Sequence, residues 1–516
     1  MFRSAATACR AVVGGKPWVG ATVHETSRRM LCNATSVARC SGEGVVGVSA
    51  EKSSADPPSS LRPATDVAQL TRFASQSAHS VGYRYEPGPH GYAFHMPPIS
   101  LIGANSLPQS GEVISRLGFR KALLVTDKFL SQRGGTGFMI SVLVANDIDY
   151  HVFDGVSSNP TRGEVEHGLR VLSEQGCDFI LSFGGGSPHD AAKVISLLKT
   201  NGGDVSDYVG VNLAKAKGFP LVAVGTSGTA SEMTRFACIT DEDRMSKLSI
   251  IDDMMTPVVT VEDPAVLRMP RHLTAATGMD CLTHAIEAYL STHSNPVTDA
   301  TALHSIKLAA AFLCQAHATT NYSDLQERKA NSRARDMMGY ASYLAGMAFN
   351  NAGLGLVHAM SHQIGGLYNL PHGVCCAVLL PSVLEFNAVA RPAHIEDIAN
   401  AIGLKAGSLR PQCCLHVGIL CLPALLTRVY CEHNHPQANT SSEALTMVIS
   451  FVLDLNRNLG LPRNLQEMGV VREDFELMAR NALHDSCLLT NCRQHVTTAQ
   501  IESLFELAYS QDFEWR

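Results

Sequence analysis

The sequence has no uninterrupted apolar run of bilayer-spanning length. The longest, LHVGILCLPALL at Leu415–Leu426, contains Pro423 and falls short of the roughly 20 residues a spanning helix needs, so neither a transmembrane segment nor a membrane partner is expected. An excess of one charge is also missing. Lys and Arg number 41 against 47 Asp and Glu, a net charge of -6, and no basic cluster offers the footprint of a nucleic-acid or anionic-lipid surface. Nucleic acid is therefore excluded as an expected partner. Fifteen cysteines are scattered over 516 residues, and the close pairs Cys375/Cys376 and Cys413/Cys414 are adjacent rather than C-x2-C. That spacing argues against a structural zinc site and a disulfide framework, and the cysteines read as reduced thiols. No internal repeat is evident.

What is present describes an ordinary globular chain: 45% hydrophobic, 17% charged, and long enough for two domains with substantial cores. Its first 40 residues differ from the rest, carrying Arg3, Arg10, Lys16, Arg28, Arg29 and Arg39 against the single acid Glu25, among many Ser, Thr and Ala. This composition predicts a mitochondrial transit peptide within a leader spanning residues 1–65. A secretory signal fits worse, because Lys16 and Pro17 interrupt the only candidate apolar core.

From residue 90 to 270, β-rich runs alternate with helical ones: KALLVTD, IDYHVFD, FILSFGGGS, FPLVAVGT, KLSIID and PVVTVED. Strands alternating with helices predict a doubly wound parallel sheet. From residue 271 to 516, Ala, Leu, Met and His dominate at a period near 3.6, which predicts an all-α second domain. The stretch Gly407 to Ser441 fits neither pattern.

Three histidines crowd the segment GLVHAMSHQIGGLYNLPHG. His358 and His362 stand four apart, on one face of a helix, while His372 lies beyond the breaker pair Gly365-Gly366 and after Pro371. Upstream, Asp280 and His284 repeat the spacing of four on an apolar pattern, where a carboxylate is costly unless paired or coordinating. Asp280, His284, His358 and His372 together make an all-N/O donor set suited to Fe(II), with Zn(II) next.

The run FILSFGGGSPHDAAK places three glycines between a buried strand and a helix, where backbone N–H groups and the helix dipole favour a pyrophosphate. It does not have G-x-G-x-x-G spacing. A second polar turn, VGTSGTASE, follows the next strand. Asp127 ends the strand ALLVTD, where it would accept from ribose hydroxyls and repel a 2'-phosphate, favouring NAD; it would equally serve as the N-cap of KFLSQ.

Taken together, GGGSPHDAAK, GTASE, DPAVLRMPRHLTAATGMDCLTHAIEAY and GMAFNNAGLGLVHAMSHQIGGLYNLPHG resemble the iron-containing, group III alcohol dehydrogenases, most closely the bacterial lactaldehyde reductase (1,2-propanediol oxidoreductase) branch. The resemblance runs from about Tyr92 to Tyr509. It implies the dehydroquinate synthase-like fold, a Rossmann-like α/β domain followed by an all-α domain, and a homodimer. It also implies metal ligation by Asp280, His284, His358 and His372, with His362 a non-ligand near the nicotinamide. Gly184, Gly185, Gly186 and Ser187 fall on the pyrophosphate loop together with Asp190, and Thr226 and Thr229 on the second NAD(H) loop with Ser231. Asp127 matches the acid of NAD preference; Phe349 and Cys487 line the substrate pocket. Departures are Gly225 for a usual Thr, Ala230 for a frequent Gly, and Phe236 at a pocket position that is Asn in that branch. The tail Asn491-Cys492 replaces a usual Asn-Pro.

The expected activity is NAD-dependent interconversion of a small primary alcohol or diol and its aldehyde. A divalent metal would polarise the substrate oxygen, the nicotinamide would exchange the hydride, and His362 would pass the proton. Two other readings are a hydroxyacid-oxoacid transhydrogenase that retains its NAD and a catalytically silent, metal-stabilised assembly protein.

Overall fold

The computed structural model describes residues 91–226, 228–242, 246–264, 269–318, 325–404 and 440–510. The expected leader and all but the last two residues of Gly407–Ser441 lie outside them.

The α/β region contains strands β1 (Ile99–Ile102), β2 (Lys121–Asp127), β3 (Asp149–Val156), β4 (Phe179–Gly184), β5 (Gly210–Val211), β6 (Leu221–Gly225), β7 (Phe236–Asp241), β8 (Ser246–Ile251) and β9 (Val259–Glu262). Its helices are α1 (Leu107–Arg116), α2 (Lys128–Gln132), α3 (Gly137–Ala145), α4 (Arg162–Glu174) and α5 (Gly186–Asn201). Six strands form a parallel sheet in the order β1-β9-β6-β4-β2-β3. The central strands read as unbroken apolar runs because both faces are covered. Leu123, Val125 and Ile180 enter one core, while Ala122, Leu124, Phe179 and Leu181 enter the other. The register Gly184↔Gly225↔Glu262 aligns the carboxyl ends of β4, β6 and β9 along one edge.

One expected strand leaves this sheet. KLSIID, as β8, pairs antiparallel with β7 in a smaller sheet of order β5-β8-β7. Only four residues separate Asp241 from Ser246, and a parallel pairing needs a crossover of about a dozen, so the short connection dictates a hairpin. Strands β1, β5 and β7 were not among the sequence expectations.

After Pro270 the described regular structure is helical: α6 (Arg271–Leu290), α7 (Pro296–His317), α8 (Leu325–Ala352), α9 (Leu356–Tyr368), α10 (His372–Ala388), α11 (Pro392–Ile402), α12 (Thr440–Leu459), α13 (Phe475–Ala482) and α14 (Thr498–Ser510), with 3-10 turns between. The N-terminal parallel-sheet region and the all-α C-terminal domain form the expected fold class. Helix α7 is long and apolar enough to cross a membrane by length and composition; here it packs Ala302, Ile306, Ala309 and Leu313 into the helical core. The glycine pair expected to break a helix does not. Helix α9 continues through Gly365 and Gly366 and stops at Asn369, which takes the left-handed conformation that ends helices.

Candidate metal centre and cofactor loops

Helix α6 is buried along almost its whole length, which takes Asp280 and His284 out of solvent. Residues four apart lie on one face, so carboxylate and imidazole point the same way. His358 comes from the first turn of α9, and His372 opens α10 directly after Pro371. Asp280 Oδ1 lies 3.8 Å from His284 Nε2, 3.7 Å from His358 Nε2 and 3.5 Å from His372 Nε2. Metal–ligand bonds of about 2.1 Å at tetrahedral angles separate two donors by about 3.4 Å. Each of the three imidazole nitrogens thus stands near ligand-to-ligand distance from the Asp280 oxygen, and Asp280, His358 and His372 belong to one group of mutually close donors. Asp280 Oδ1 and His358 Nε2 are fully buried with no hydrogen-bond partner, a costly state for free polar atoms and the expected one for atoms that face a metal. The residues fit a divalent metal.

Burial pulls the His284 imidazole down to about 4, keeping it in the neutral, ligating form. Burial pushes the Asp280 carboxyl up, but the imidazoles of His284, His372 and His358 outweigh it and hold Asp280 well below the usual carboxylate range. Burial also opposes the charged form of His358, yet the carboxylates of Asp280 and Glu287 reverse this and raise it to about 9.

Glu287 was not singled out in the sequence, although it stands seven residues after Asp280 on the same helix. Its Oε2 accepts from His358 Nδ1 at 2.6 Å, so that Nε2 presents its lone pair to the Asp280 cluster. The same carboxylate accepts from the backbone N–H groups of Gly355 (2.9 Å) and Val357 (2.6 Å), while Asn491 Oδ1 accepts from Leu356 N at 3.2 Å. The open N-terminus of α9 is thereby satisfied from two distant segments.

A thiol also reaches the centre. Cys376 is fully buried, its Sγ 3.6 Å from His372 Nε2 and 3.4 Å from Ser361 Oγ. Cys376 stands outside the expected all-N/O donor set; it follows His372 by one helical turn and so shares its face.

His362 belongs to a neighbouring cluster with Asp485 and Cys487. His362 Nδ1 and Asp485 Oδ2 are 2.8 Å apart, and Asp485 Oδ1 accepts from Cys487 N at 2.9 Å. Burial pushes the Asp485 carboxyl up, but His362 prevails and lowers it. Asp485 lies 123 residues from His362, so no spacing in the sequence announces it. Phe349 stacks on His284 with ring centroids 4.3 Å apart, and Phe236 meets Phe349 edge-on at 5.9 Å. Together they wall one side of the centre, while Cys487, 5% exposed, sits beside His362.

The expected cofactor residues lie at the carboxyl edge of the parallel sheet. Gly184 adopts φ +150, and a Cβ there would lie 2.8 Å from Pro188 Cγ, so the turn into α5 requires glycine. Gly185 caps α5 and Gly186 begins it. A Cβ on Gly186 would stand 4.0 Å from Thr229 Oγ1, so the two loops meet. Ser187 Oγ donates to the Ser158 carbonyl at 2.7 Å. Asp190 Oδ1 accepts from Ser231 Oγ at 2.9 Å, tying α5 to the second loop. Sequence reasoning missed Lys193, a fully buried amine that donates to Ser231 Oγ, Thr234 Oγ1 and the Phe236 carbonyl; burial pulls it down to about 8. Thr226 follows β6 directly, and Asp127 ends β2, its Oδ1 capping α2 through Leu130 N at 2.8 Å.

Two departures acquire reasons. A Cβ on Gly225 would lie 2.4 Å from Glu262 Oε2 and 2.6 Å from Glu232 Cδ, leaving no room for threonine. Burial together with the Glu232 carboxylate pushes Glu262 well up. Ala230 adopts a left-handed backbone (φ +56), the conformation that explains glycine as its usual occupant.

Two family descriptions match the chain: iron-containing alcohol dehydrogenase over residues 97–264, and the C-terminal part of the Fe-containing alcohol dehydrogenase family over residues 274–509. Alcohol dehydrogenase 4 of Saccharomyces cerevisiae is 44% identical over 418 residues, covering 81% of this chain and 98% of the relative. The 1,3-propanediol dehydrogenase of Citrobacter freundii is 39% identical over 422 residues, covering 81% and 99%. A crystal structure of 1,3-propanediol oxidoreductase superposes with a TM-score of 0.71 at 38% identity, covering 81% of this chain and 100% of that one. The expected branch is thereby corrected, since the lactaldehyde reductase of Escherichia coli is only 34% identical over 413 residues, covering 79% and 96%.

Proposed function

This chain belongs to the iron-containing alcohol dehydrogenase family, and from that premise we propose how its residues divide the work of a metal-dependent, NAD(H)-linked oxidoreductase of small alcohols and aldehydes. Asp280, His284, His358 and His372 hold the metal, iron with zinc possible. The observation that carries this assignment is the convergence of three imidazole nitrogens on the unpartnered Oδ1 of Asp280. When bound, a divalent metal supplies Lewis acidity toward the substrate oxygen. His362, oriented through Nδ1 by Asp485, holds and moves the substrate proton. The backbone of Gly184–Ser187 and the N-terminus of α5 receive the pyrophosphate, with Thr226 and Thr229 from the facing loop. Metal analysis of protein purified without oxygen, with an aldehyde panel and free NADH, tests this reading. Turnover on no aldehyde with the metal fully loaded would overturn it.

Asp127 carries the NAD preference through its charge, and its capping bond separates the two roles experimentally. Asparagine caps a helix about as well as aspartate but carries no charge. Asp127→Asn is expected to keep the thermal midpoint while raising the NADPH/NADH ratio of kcat/KM about tenfold, the worth of one or two kcal/mol of charge-assisted bonding and repulsion. An unchanged ratio would leave Asp127 as a helix cap alone.

The Phe236–Phe349 wall narrows the substrate to small monohydric alcohols and their aldehydes. A second hydroxyl against two aromatic faces would be desolvated without a partner, at a cost of about 1–3 kcal/mol. Phe236→Asn is expected to raise the diol-to-monoalcohol ratio of kcat/KM by about tenfold or more. A ratio that does not move would exclude Phe236 from substrate selection.

A homodimer in the mitochondrial matrix, with residues 1–65 as its leader, completes the proposal. Sedimentation of the purified protein and N-terminal sequencing of the organellar form test these two points.

A further inference from the structure

The metal centre contains more donors than one tetrahedral ion uses. Asp280, His358, His372 and Cys376 each offer a ligand atom within 4.8 Å of the other three, and His284 Nε2 stands 3.8 Å from Asp280 on the same α6 face. Three donors are thus common to two alternative sets, completed by His284 or by Cys376. The sulfur position is specific. With metal–nitrogen and metal–sulfur bonds of about 2.1 and 2.3 Å, a tetrahedral angle separates N and S by about 3.6 Å; Cys376 Sγ lies 3.6 Å from His372 Nε2.

We propose that Cys376 is a ligand for thiophilic divalent ions: zinc or cobalt is held by Asp280, His358, His372 and the Cys376 sulfur, whereas iron uses His284 as its fourth donor. The metal-free side chain is a thiol that donates to Ser361 Oγ at 3.4 Å. When the metal–sulfur bond forms, the S–H bond breaks and its proton goes to solvent, with no change of oxidation state. The neighbouring Cys375 is equally buried but contributes no atom to the donor group, so it serves as a control.

This inference rests on the metal-site reading above. The test is an anaerobic titration of metal-stripped full-length protein with cobalt(II), recorded by absorbance and by metal analysis, for the wild type, Cys376→Ser, Cys376→Ala and Cys375→Ser. The wild type is expected to bind one cobalt with an intense near-ultraviolet thiolate-to-metal band, which Cys375→Ser keeps and both Cys376 variants lose. Zinc loading near neutral pH should release one proton more from the wild type than from Cys376→Ser. The zinc dissociation constant should rise at least about tenfold in that variant, with a smaller change for ferrous iron. Stoichiometric cobalt binding by the wild type without the band would overturn the thiolate while leaving the four-residue site intact. A band that persists in both Cys376 variants would do the same. Failure of the wild type to bind cobalt or iron at all would overturn the metal-site reading, and this proposal with it. The wild-type spectrum decides the matter even where a variant fails to fold.

Discussion

Alanine at His358 or His372 is expected to empty the metal site and abolish turnover together, whereas alanine at His362 is expected to keep the metal and lose only turnover. His358 and His372 each place a ring nitrogen within 3.7 Å of Asp280 Oδ1, so removing either breaks the donor set. Metal content should fall well below stoichiometric. Activity should drop at least about 1000-fold, because the Lewis acid contributes several kcal/mol to the barrier. His362 instead bonds Asp485 in the adjoining cluster. Its loss should lower kcat about 10- to 1000-fold with metal nearly unchanged, as expected for a proton carrier, and should alter the pH–rate profile. Asp485→Asn should reproduce part of that loss, since the amide retains shape but no longer holds the imidazole by charge. Metal analysis and rates on identically purified variants check all four. A metal-free His362→Ala, or a fully loaded His372→Ala, would require a different ligand set.

The second large effect is expected at Glu287, which touches no substrate. One carboxylate accepts from His358 Nδ1 and from two backbone N–H groups at the start of α9, all in a buried setting. Glu287→Ala strands all three donors. The metal-free protein is expected to lose about 3–5 kcal/mol of stability, the usual consequence of breaking a buried charged pair, seen as a lower denaturation midpoint. Metal affinity should fall by about 10- to 100-fold, because His358 loses the partner that fixes its tautomer and ring orientation. The pH dependence has a definite sign. His358 is raised from 6.5 to about 9 in the folded metal-free protein, so its contribution to stability is full below pH 6.5 and disappears as pH rises through 9. In Glu287→Ala that alkaline loss should shrink to the part that Asp280 sustains. An unaltered midpoint and metal affinity would show that Glu287 is dispensable to the centre.

Much of the architecture was legible in residue order, for a physical reason. Strands buried on both faces must be largely apolar, and the central residues of β2, β4 and β6 are, with Thr126 and Ser182 the polar exceptions; the helices that follow Pro270 bury their apolar residues in one helical core. The hairpin was harder. The connection between Asp241 and Ser246 has the length of a hairpin, but β7 carries Cys238 and Thr240 among its apolar residues and gives a weak strand signal. Composition likewise suggested a break at Gly365-Gly366, where helical packing simply tolerates two glycines.

For the site, sequence by itself determined whatever local spacing encodes. Asp280 with His284, and His358 with His362, share helix faces because 3.6 residues make a turn; the glycine run must meet a helix N-terminus because it ends a strand. Only the tertiary structure decided which distant segments complete these pairs. It separated His362 from the Asp280 cluster by giving it Asp485, and turned Glu287 toward His358 across 71 residues of chain. It also carried the α10 face that bears His372 and, one turn on, Cys376 into the donor group. Those choices depend on how α6, α9 and α10 pack together, and side-chain contacts between packed helices leave no periodic trace along the chain.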